Sequence, residues 1–539
     1  LRGFVHFIGE WLMVAPKDPE RSARKIQLAA RELLRPEFWK APGIFLAGSA
    51  AFALAYTQTP LYGPNQDQYF LHGLARAGYG FLSRDWLAGT TDPTPLFSLL
   101  VEITWRLTHW APAFYLIYAL LLGVYYFSAI DIGAAAFSIR PSSAARWSFA
   151  FGALFLHSAL FRAGLARALS PWGGSFFEDG LAEQRILGAV LQPSVFGVLL
   201  VVSVRFFIKK RPYAAVLFAV LAAAFHPTYL LCAAILTAAY VTAILLQDRD
   251  PKRAALAAGL ALLCALPVAA YVYSVFAPSD PGSSAETYRI LVHERLPHHA
   301  LIRWWWTAGS TAKVVLIALG LAVVRKTRLF PVLLIPALLG AGLTLVQLAT
   351  GGDALALLFP WRISSLLVPL SSLSILAAAV DFASRRRLWE RLRTPAVRAA
   401  ALLGMILLAS AGIAKFVLDL TEKESRHEQG LFTYISVHHQ PEQTYLIPPK
   451  MEEFRLRTGS PAYIDLKSIP YRDLDVLEWY RRLQLINRLY LEFDCSVADG
   501  LRAQGAVTHV VLPVDDFPQG CPGWVEIYRD DWYGLYAFP

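Results

Sequence analysis

GPNQDQYFLHGLARAGYGFLSRDWLAGTTDPTPLFSLLVEITWRLTHW, residues 63–110, follows a single apolar run and precedes a long succession of others. How it sits relative to a bilayer decides the topology of the whole chain. Its second half, Leu96 to Trp110, is apolar enough to suggest a transmembrane helix. It is shorter than the roughly 20 residues that cross a hydrocarbon core of about 30 Å, and it carries Glu102, Arg106 and His109. Leaving it out gives eleven apolar runs, at 43–60, 112–132, 146–163, 186–208, 213–230, 231–246, 254–277, 311–324, 330–349, 360–381 and 399–419. Lys209-Lys210-Arg211, Arg249 to Arg253, Arg325 to Arg328 and Arg385 to Arg398 then share the cytoplasmic side with the basic N-terminal segment, residues 1–42. The five inner loops hold 16 Lys and Arg in about 46 residues, and the three long outer loops hold 8 in about 106. That is the asymmetry of a chain whose cytoplasmic loops carry the positive charge, so residues 96–110 are expected to lie along the outer surface.

With 56% of 539 residues apolar and only 17% charged, a soluble enzyme and a disordered chain are excluded. The formal charge of +10 comes mostly from clusters between apolar runs, so it fixes orientation and does not point to nucleic acid. The first 40 residues are too charged for a secretory signal peptide. The fold class that follows is an all-α integral membrane bundle, residues 43–420, followed by a small extracytoplasmic α/β domain, residues 421–539. In that tail TYLIPP (444–449), AYIDL (462–466) and THVVLPV (508–514) read as strands of a parallel sheet, and WVEIYRDDWYGLYAF as a hairpin. MEEFRLRTG, DLDVLEWYRRLQLINRLY (473–490) and VADGLRAQG read as helices. Cys495 and Cys521 form no C-x-x-C pair, which speaks against structural zinc. Both lie on the outer side, where a disulfide and two free thiols are equally open.

The quoted loop has two amphipathic stretches. Phe70, Leu74, Ala77 and Phe81 fall near one face of the first, and Leu99, Ile103, Leu107 and Trp110 on one face of the second, as in helices lying on a membrane surface. One transmembrane helix, a carboxylate-bearing loop with two surface helices and then a bundle is an order that resembles the GT-C superfamily of membrane glycosyltransferases. The matching residue is Asp67 in Asn65-Gln66-Asp67-Gln68-Tyr69. The resemblance implies a polyprenyl-phosphate-linked sugar donor and transfer of a hexosyl or pentosyl group, with inversion, to an acceptor glycan, lipid or protein. It also implies reaction on the non-cytoplasmic face, a bacterial plasma membrane location, and Asp67 as catalytic base or metal ligand. Many members carry a double acidic pair where this chain has Gln66-Asp67-Gln68, which leaves dependence on Mg2+ or Mn2+ open. The chemistry needs a carboxylate to take a hydroxyl proton, or a divalent ion to neutralise the leaving phosphate. As a plain structural alternative, Asp67 caps a helix.

The second outer loop supplies Glu178, Asp179 and Glu183 as further metal or catalytic candidates, with Glu183 preferred because it lies nearest the following span. In the third, Tyr288 precedes a run holding His293, Arg295, His298, His299 and Trp304 to Trp306. Arg295 and the two adjacent His residues are candidates for holding the donor phosphate, since arginine offers paired donors to phosphate oxygens. Arg362 and His226, at the outer ends of apolar runs, are candidates because lipid solvates such groups poorly. Arg455, Arg457, Lys467 and Arg472 offer an anionic-ligand surface on the tail, or ordinary solvated charge. A transporter, flippase or scaffold is the alternative function; a secondary transporter would show inverted repeats and polar groups at mid-membrane, whereas here the polar groups gather on the outer side.

Overall fold

Three prolines mark where helices restart, and they shape the bundle. Pro193, Pro227 and Pro360 each open a short 3₁₀ turn, at Pro193–Gly197, Pro227–Tyr229 and Pro360–Ile363, before an α-helix continues. Proline lacks the N–H that an interior turn must donate, so the ladder restarts there. In the computed structural model, which describes residues 42–141, 143–169, 174–386 and 394–538, all eleven apolar runs are helical, but not at equal length. Among the described residues six helices are long and apolar enough to cross a membrane: Ala113–Ala136, Pro227–Asp248, Pro251–Phe276, Leu329–Thr350, Asp353–Arg385 and Thr394–Glu424. Ala144–His157 and Ala159–Ala168, bent by 57°, make a seventh if taken as one span. Pro42–Tyr56, Pro193–Ile208, Pro212–Phe225 and Ala308–Val324 are shorter. The expected eleven full-length spans are thus six or seven by length, because run 186–208 is helical only from Pro193 and run 213–230 ends at Phe225. The chain is a multi-pass helical membrane protein. The basic segment expected on the cytoplasmic side lies outside the described residues up to residue 41.

Burial sorts the spans. The apolar window of Asp353–Arg385 is 78% buried and that of Pro251–Phe276 only 11%. The latter exposes Leu256, Leu262, Leu263 and Leu266, a face that fits lipid. From Ser49 onward the chain forms one compact unit. Within it the loops expected on one side of the membrane do meet one another. Gln68 bonds Ile469, Ser279 bonds Asp473, Arg295 bonds Lys467 and Leu181 bonds Ser364. The loops expected on the other side also meet: Arg328 grips Asp248 through two bonds of 2.7 Å, and Arg253 donates to the Lys210 carbonyl.

Pro95–Thr108 is a helix of 14 residues that buries Phe97, Ser98, Val101 and Thr104 and exposes Leu99, Ile103 and Leu107, while Trp110 is exposed just beyond its end. Gly73 permits this packing: a Cβ there would stand 2.5 Å from the Ser98 carbonyl oxygen. The other stretch, 67–82, departs from the expected surface helix. It breaks at Phe70 into Pro64–Tyr69 and Leu71–Arg76, its backbone turns left-handed at Gly78 and Gly80, and Phe70, Leu71 and Leu74 are fully buried. Gly80 packs on Gly459 of the C-terminal region so closely that a Cβ would fall 2.3 Å from the Gly459 oxygen, and Phe81 N–H donates to that oxygen.

The C-terminal region carries a sheet of four strands, β1 (Tyr445–Leu446), β2 (His509–Pro513), β3 (Val525–Arg529) and β4 (Tyr533–Ala537), in the order β1-β2-β4-β3. Only β1 and β2 run parallel, while β2–β4 and the β3–β4 hairpin are antiparallel. The sheet is therefore mixed, not parallel as expected. AYIDL contributes only a bridge between Tyr445 and Ala462, because side chains capture its backbone: Ala462 N–H donates to Asp85 and its carbonyl accepts from Arg455. Asp473–Glu492 is helical as expected, and Cys495 and Cys521 are joined in a disulfide.

Candidate active site

Asp67 sits in the short helix Pro64–Tyr69, whose N-cap is Gly63, so the capping alternative fails. The helix is fixed by the glutamines on either side. Gln66 accepts from Gly63 N–H and donates to the Leu191 carbonyl. Gln68 donates to the Ile469 carbonyl and accepts from the Ile469 N–H, both at 2.7 Å. Between these two clamps Asp67 is 1% exposed, and among the described residues neither carboxylate oxygen has a hydrogen-bond partner. Burial, followed by the negative charge of Glu453 and Asp465, holds its pKa well above the usual carboxylate range; Lys423 opposes the rise. A buried, unpaired carboxylate is costly to keep, and it is the one carboxyl group in the first loop that the fold leaves without a partner among the described residues.

Two arginines and a histidine gather near Tyr69, two residues beyond Asp67. Arg295 donates to the Lys467 carbonyl at 2.8 Å and has a buried Nε without a partner. The charges of Arg295 and Arg362 both bear on Tyr471, whose hydroxyl meets Tyr69, the residue two beyond Asp67. Arg362 donates to His226 Nε2 at 3.1 Å, so that nitrogen carries no proton; the guanidinium also lies over the Tyr229 ring. The Tyr69 ring meets His226 edge-on. His226, Arg295 and Arg362 thus gather about Tyr69 and Tyr471, at the end of the bundle where the first loop, the third loop and the C-terminal region meet, while the charges that bear on Asp67 itself are those of Glu453, Asp465, Glu452 and Lys423.

The other candidates are placed differently. His299 donates from Nδ1 to the Ala182 carbonyl, and burial lowers its pKa to about 3. His298 stacks on it and is lowered by the same cause. Both imidazoles are neutral at physiological pH, so they are not a cationic phosphate clamp. Glu183 is exposed, with the backbone left-handed at both Ala182 and Glu183. Glu178 and Asp179 are buried, Glu178 on Arg162 at 3.1 Å and Asp179 on Ser175 and Arg185. Tyr288 is half-buried on Pro281–Arg289, away from these contacts. Asp67, Glu178, Asp179 and Glu183 are not brought together, and no three His, Cys, Asp or Glu gather in a metal-holding group among the described residues. Of the nearby carboxylates, Glu453 is committed to Lys423 and Arg426 and Asp465 to Arg455, while Glu452 has no ion pair among the described residues.

Sequence reasoning missed the groups that fix this geometry. Arg455, read as a surface cation, is 1% exposed and forms ion pairs with Asp85, at 2.6 Å, and with Asp465. Asp85 also accepts from Leu87 N–H, so one buried triad ties the first loop to the C-terminal region. Nothing in the spacing of EFRLRTG marks that arginine as buried. Tyr471, which meets Tyr69, lies in no motif, and Gln68 stands in the quoted motif but was given no role there.

Residues 426–486 match the family model described as "Domain of unknown function (DUF6798)". No curated protein matches the chain. Among solved structures it is similar to the crystal structure of ArnT from Cupriavidus metallidurans bound to undecaprenyl phosphate, with a TM-score of 0.49 and 12% sequence identity, over 93% of this chain and 98% of that one.

Proposed function

We propose that this protein is a membrane glycosyltransferase that moves a sugar from a polyprenyl-phosphate-linked donor to an acceptor hydroxyl on the extracytoplasmic face of a bacterial plasma membrane. One observation carries the reading: a buried aspartate, Asp67, has both oxygens without a hydrogen-bond partner among the described residues. The acceptor oxygen attacks the anomeric carbon, the bond from that carbon to the phosphate oxygen breaks, and the hydroxyl proton passes to Asp67. The configuration inverts because attack and departure occur on opposite faces. Arg295 and Arg362 hold the departing polyprenyl phosphate. A base whose pKa is raised toward neutrality suits that proton transfer. An aspartate buried at this cost with no chemical role is unexpected.

The test is turnover by the purified protein in lipid nanodiscs against a panel of polyprenyl-phosphate pentoses and hexoses, scored by release of polyprenyl phosphate. Wild-type protein releases it from at least one donor, and Asp67→Asn at unchanged fold does not. Equal release by the two proteins would remove Asp67 from the chemistry.

A further inference from the structure

The C-terminal region does more than cover the site. The loop from Asp465 to Tyr471 is anchored at nearly every residue: Asp465 pairs with Arg455, its carboxylate accepts from Ser468 N–H at 2.6 Å, and its carbonyl accepts from the Trp479 indole. The Lys467 carbonyl is held by Arg295, Ile469 by both ends of the Gln68 amide, and Tyr471 meets Tyr69. In this closely held loop the Lys467 ammonium makes no hydrogen bond or ion pair among the described residues, although Lys467 is half-buried. Ile469, two residues along, is clamped by the side chain adjacent to Asp67, and the Arg295 guanidinium that grips the Lys467 backbone has an unpartnered Nε. The loop's one cation is thus left without an ion pair among the described residues, and the charges that bear on it are those of Arg295, Glu452, Asp67 and Asp465.

We propose that Lys467 is a binding residue for the donor's phosphate, supplied by the C-terminal region and working with Arg295. The segment that matches a domain of unknown function then contributes directly to the site, by holding an ammonium over the reaction centre. This inference rests on the reading of the protein as a polyprenyl-phosphate-dependent transferase. Lysine binds phosphate as a mobile point charge, and Arg295 adds directional donors. When the bond to the sugar breaks, the phosphate gains charge, and an unpaired ammonium held ready stabilises that change without reorganisation.

The experiment is binding of farnesyl phosphate, a short-chain polyprenyl phosphate, to the full-length protein in nanodiscs, followed by native mass spectrometry, with farnesol as the uncharged control. The wild type is expected to prefer farnesyl phosphate. Lys467→Ala is expected to weaken binding about tenfold or more, the cost of one charge-assisted contact, and Lys467→Arg to restore most of it. Lys450→Ala, which removes an exposed lysine of the same region, is expected to stay within about twofold of wild type, and farnesol binding to be unchanged in all variants. Equal farnesyl phosphate binding by wild type and Lys467→Ala would overturn the proposal and leave the transferase reading standing, as would equal weakening by the Lys467 and Lys450 variants. A wild-type protein that does not distinguish farnesyl phosphate from farnesol would bring down the transferase reading, and this proposal with it.

Discussion

Asp131 and Asp67 are both aspartates on helices of the same chain, and the fold treats them in opposite ways. At the end of the bundle where the basic clusters gather, Asp131 accepts from Arg146 at 2.8 Å, from Arg205 at 2.8 Å and from Lys209 at 3.2 Å. Three cations share one carboxylate and every oxygen is engaged. At the other end Asp67 is more deeply buried and engages none. A carboxylate that stabilises a fold is saturated with donors, because burying charge is repaid only by pairing. One kept for chemistry is bare in the resting protein and finds its partner in the substrate. The two ends therefore separate a structural ion cluster from a candidate reactive group using the same residue type.

Substituting each aspartate by asparagine is the sharpest way to break this comparison. Asp67→Asn is expected to lower turnover about a thousandfold, within the range for loss of a positioned general base, while thermal stability stays level or rises because a buried unpaired charge has gone. Asp131→Asn should do the reverse, lowering stability by about 2 kcal/mol as three cations lose their shared partner, with turnover per folded molecule nearly unchanged. Differential scanning fluorimetry alongside the turnover assay reads both. If Asp67→Asn melted earlier and Asp131→Asn lost turnover, the assignment of roles would be inverted. Arg455→Met tests the link between the ends of the site. It leaves Asp85 and Asp465 buried without their cation, at about 3–5 kcal/mol, and hydrogen exchange should rise across residues 462–471 before the spans are affected.

Much of this was legible in the residues, for identifiable reasons. The apolar runs gave a multi-pass helical membrane protein, since that depends on composition summed over many positions. Asp67 could be singled out because the order of elements around its loop resembles a known family, Arg295 because arginine offers paired donors to phosphate oxygens, and Arg362 because lipid solvates such a group poorly. Helix length was not legible, because three prolines and the break at Phe70 act locally on runs that look continuous in composition. The demotion of AYIDL from strand to bridge was equally hidden, since it depends on Asp85 and Arg455, which lie far away in sequence or in no motif. The pairing of Glu178 with Arg162, which leaves Glu183 exposed, is likewise a long-range choice. Proximity to a span, the reason for preferring Glu183, says nothing about which carboxylate finds a cation.

The smallest expected effect is also the most specific to an unpaired carboxylate, and it concerns sign. Asp67 has a pKa raised in the folded protein by burial and by Glu453, Asp465 and Glu452, against the pull of Lys423. A group whose folded pKa exceeds its unfolded value contributes stability that is fully present below the unfolded pKa and is lost as pH rises through the folded one. Wild-type protein should therefore lose ground to Asp67→Asn as pH rises through the folded pKa of Asp67, so the difference in Tm between the two widens toward alkaline pH. Catalysis by the same group moves the other way, because a base must be deprotonated, and kcat/KM should fall as pH drops through that same pKa, above the usual range for an aspartate. Tm measured for both proteins and kcat/KM for the wild type, across one pH series, would give two curves of opposite slope with a common midpoint. Slopes of the same sign, or an acid limb at an ordinary aspartate pKa, would show that the group governing activity is not the buried carboxylate that the fold leaves bare.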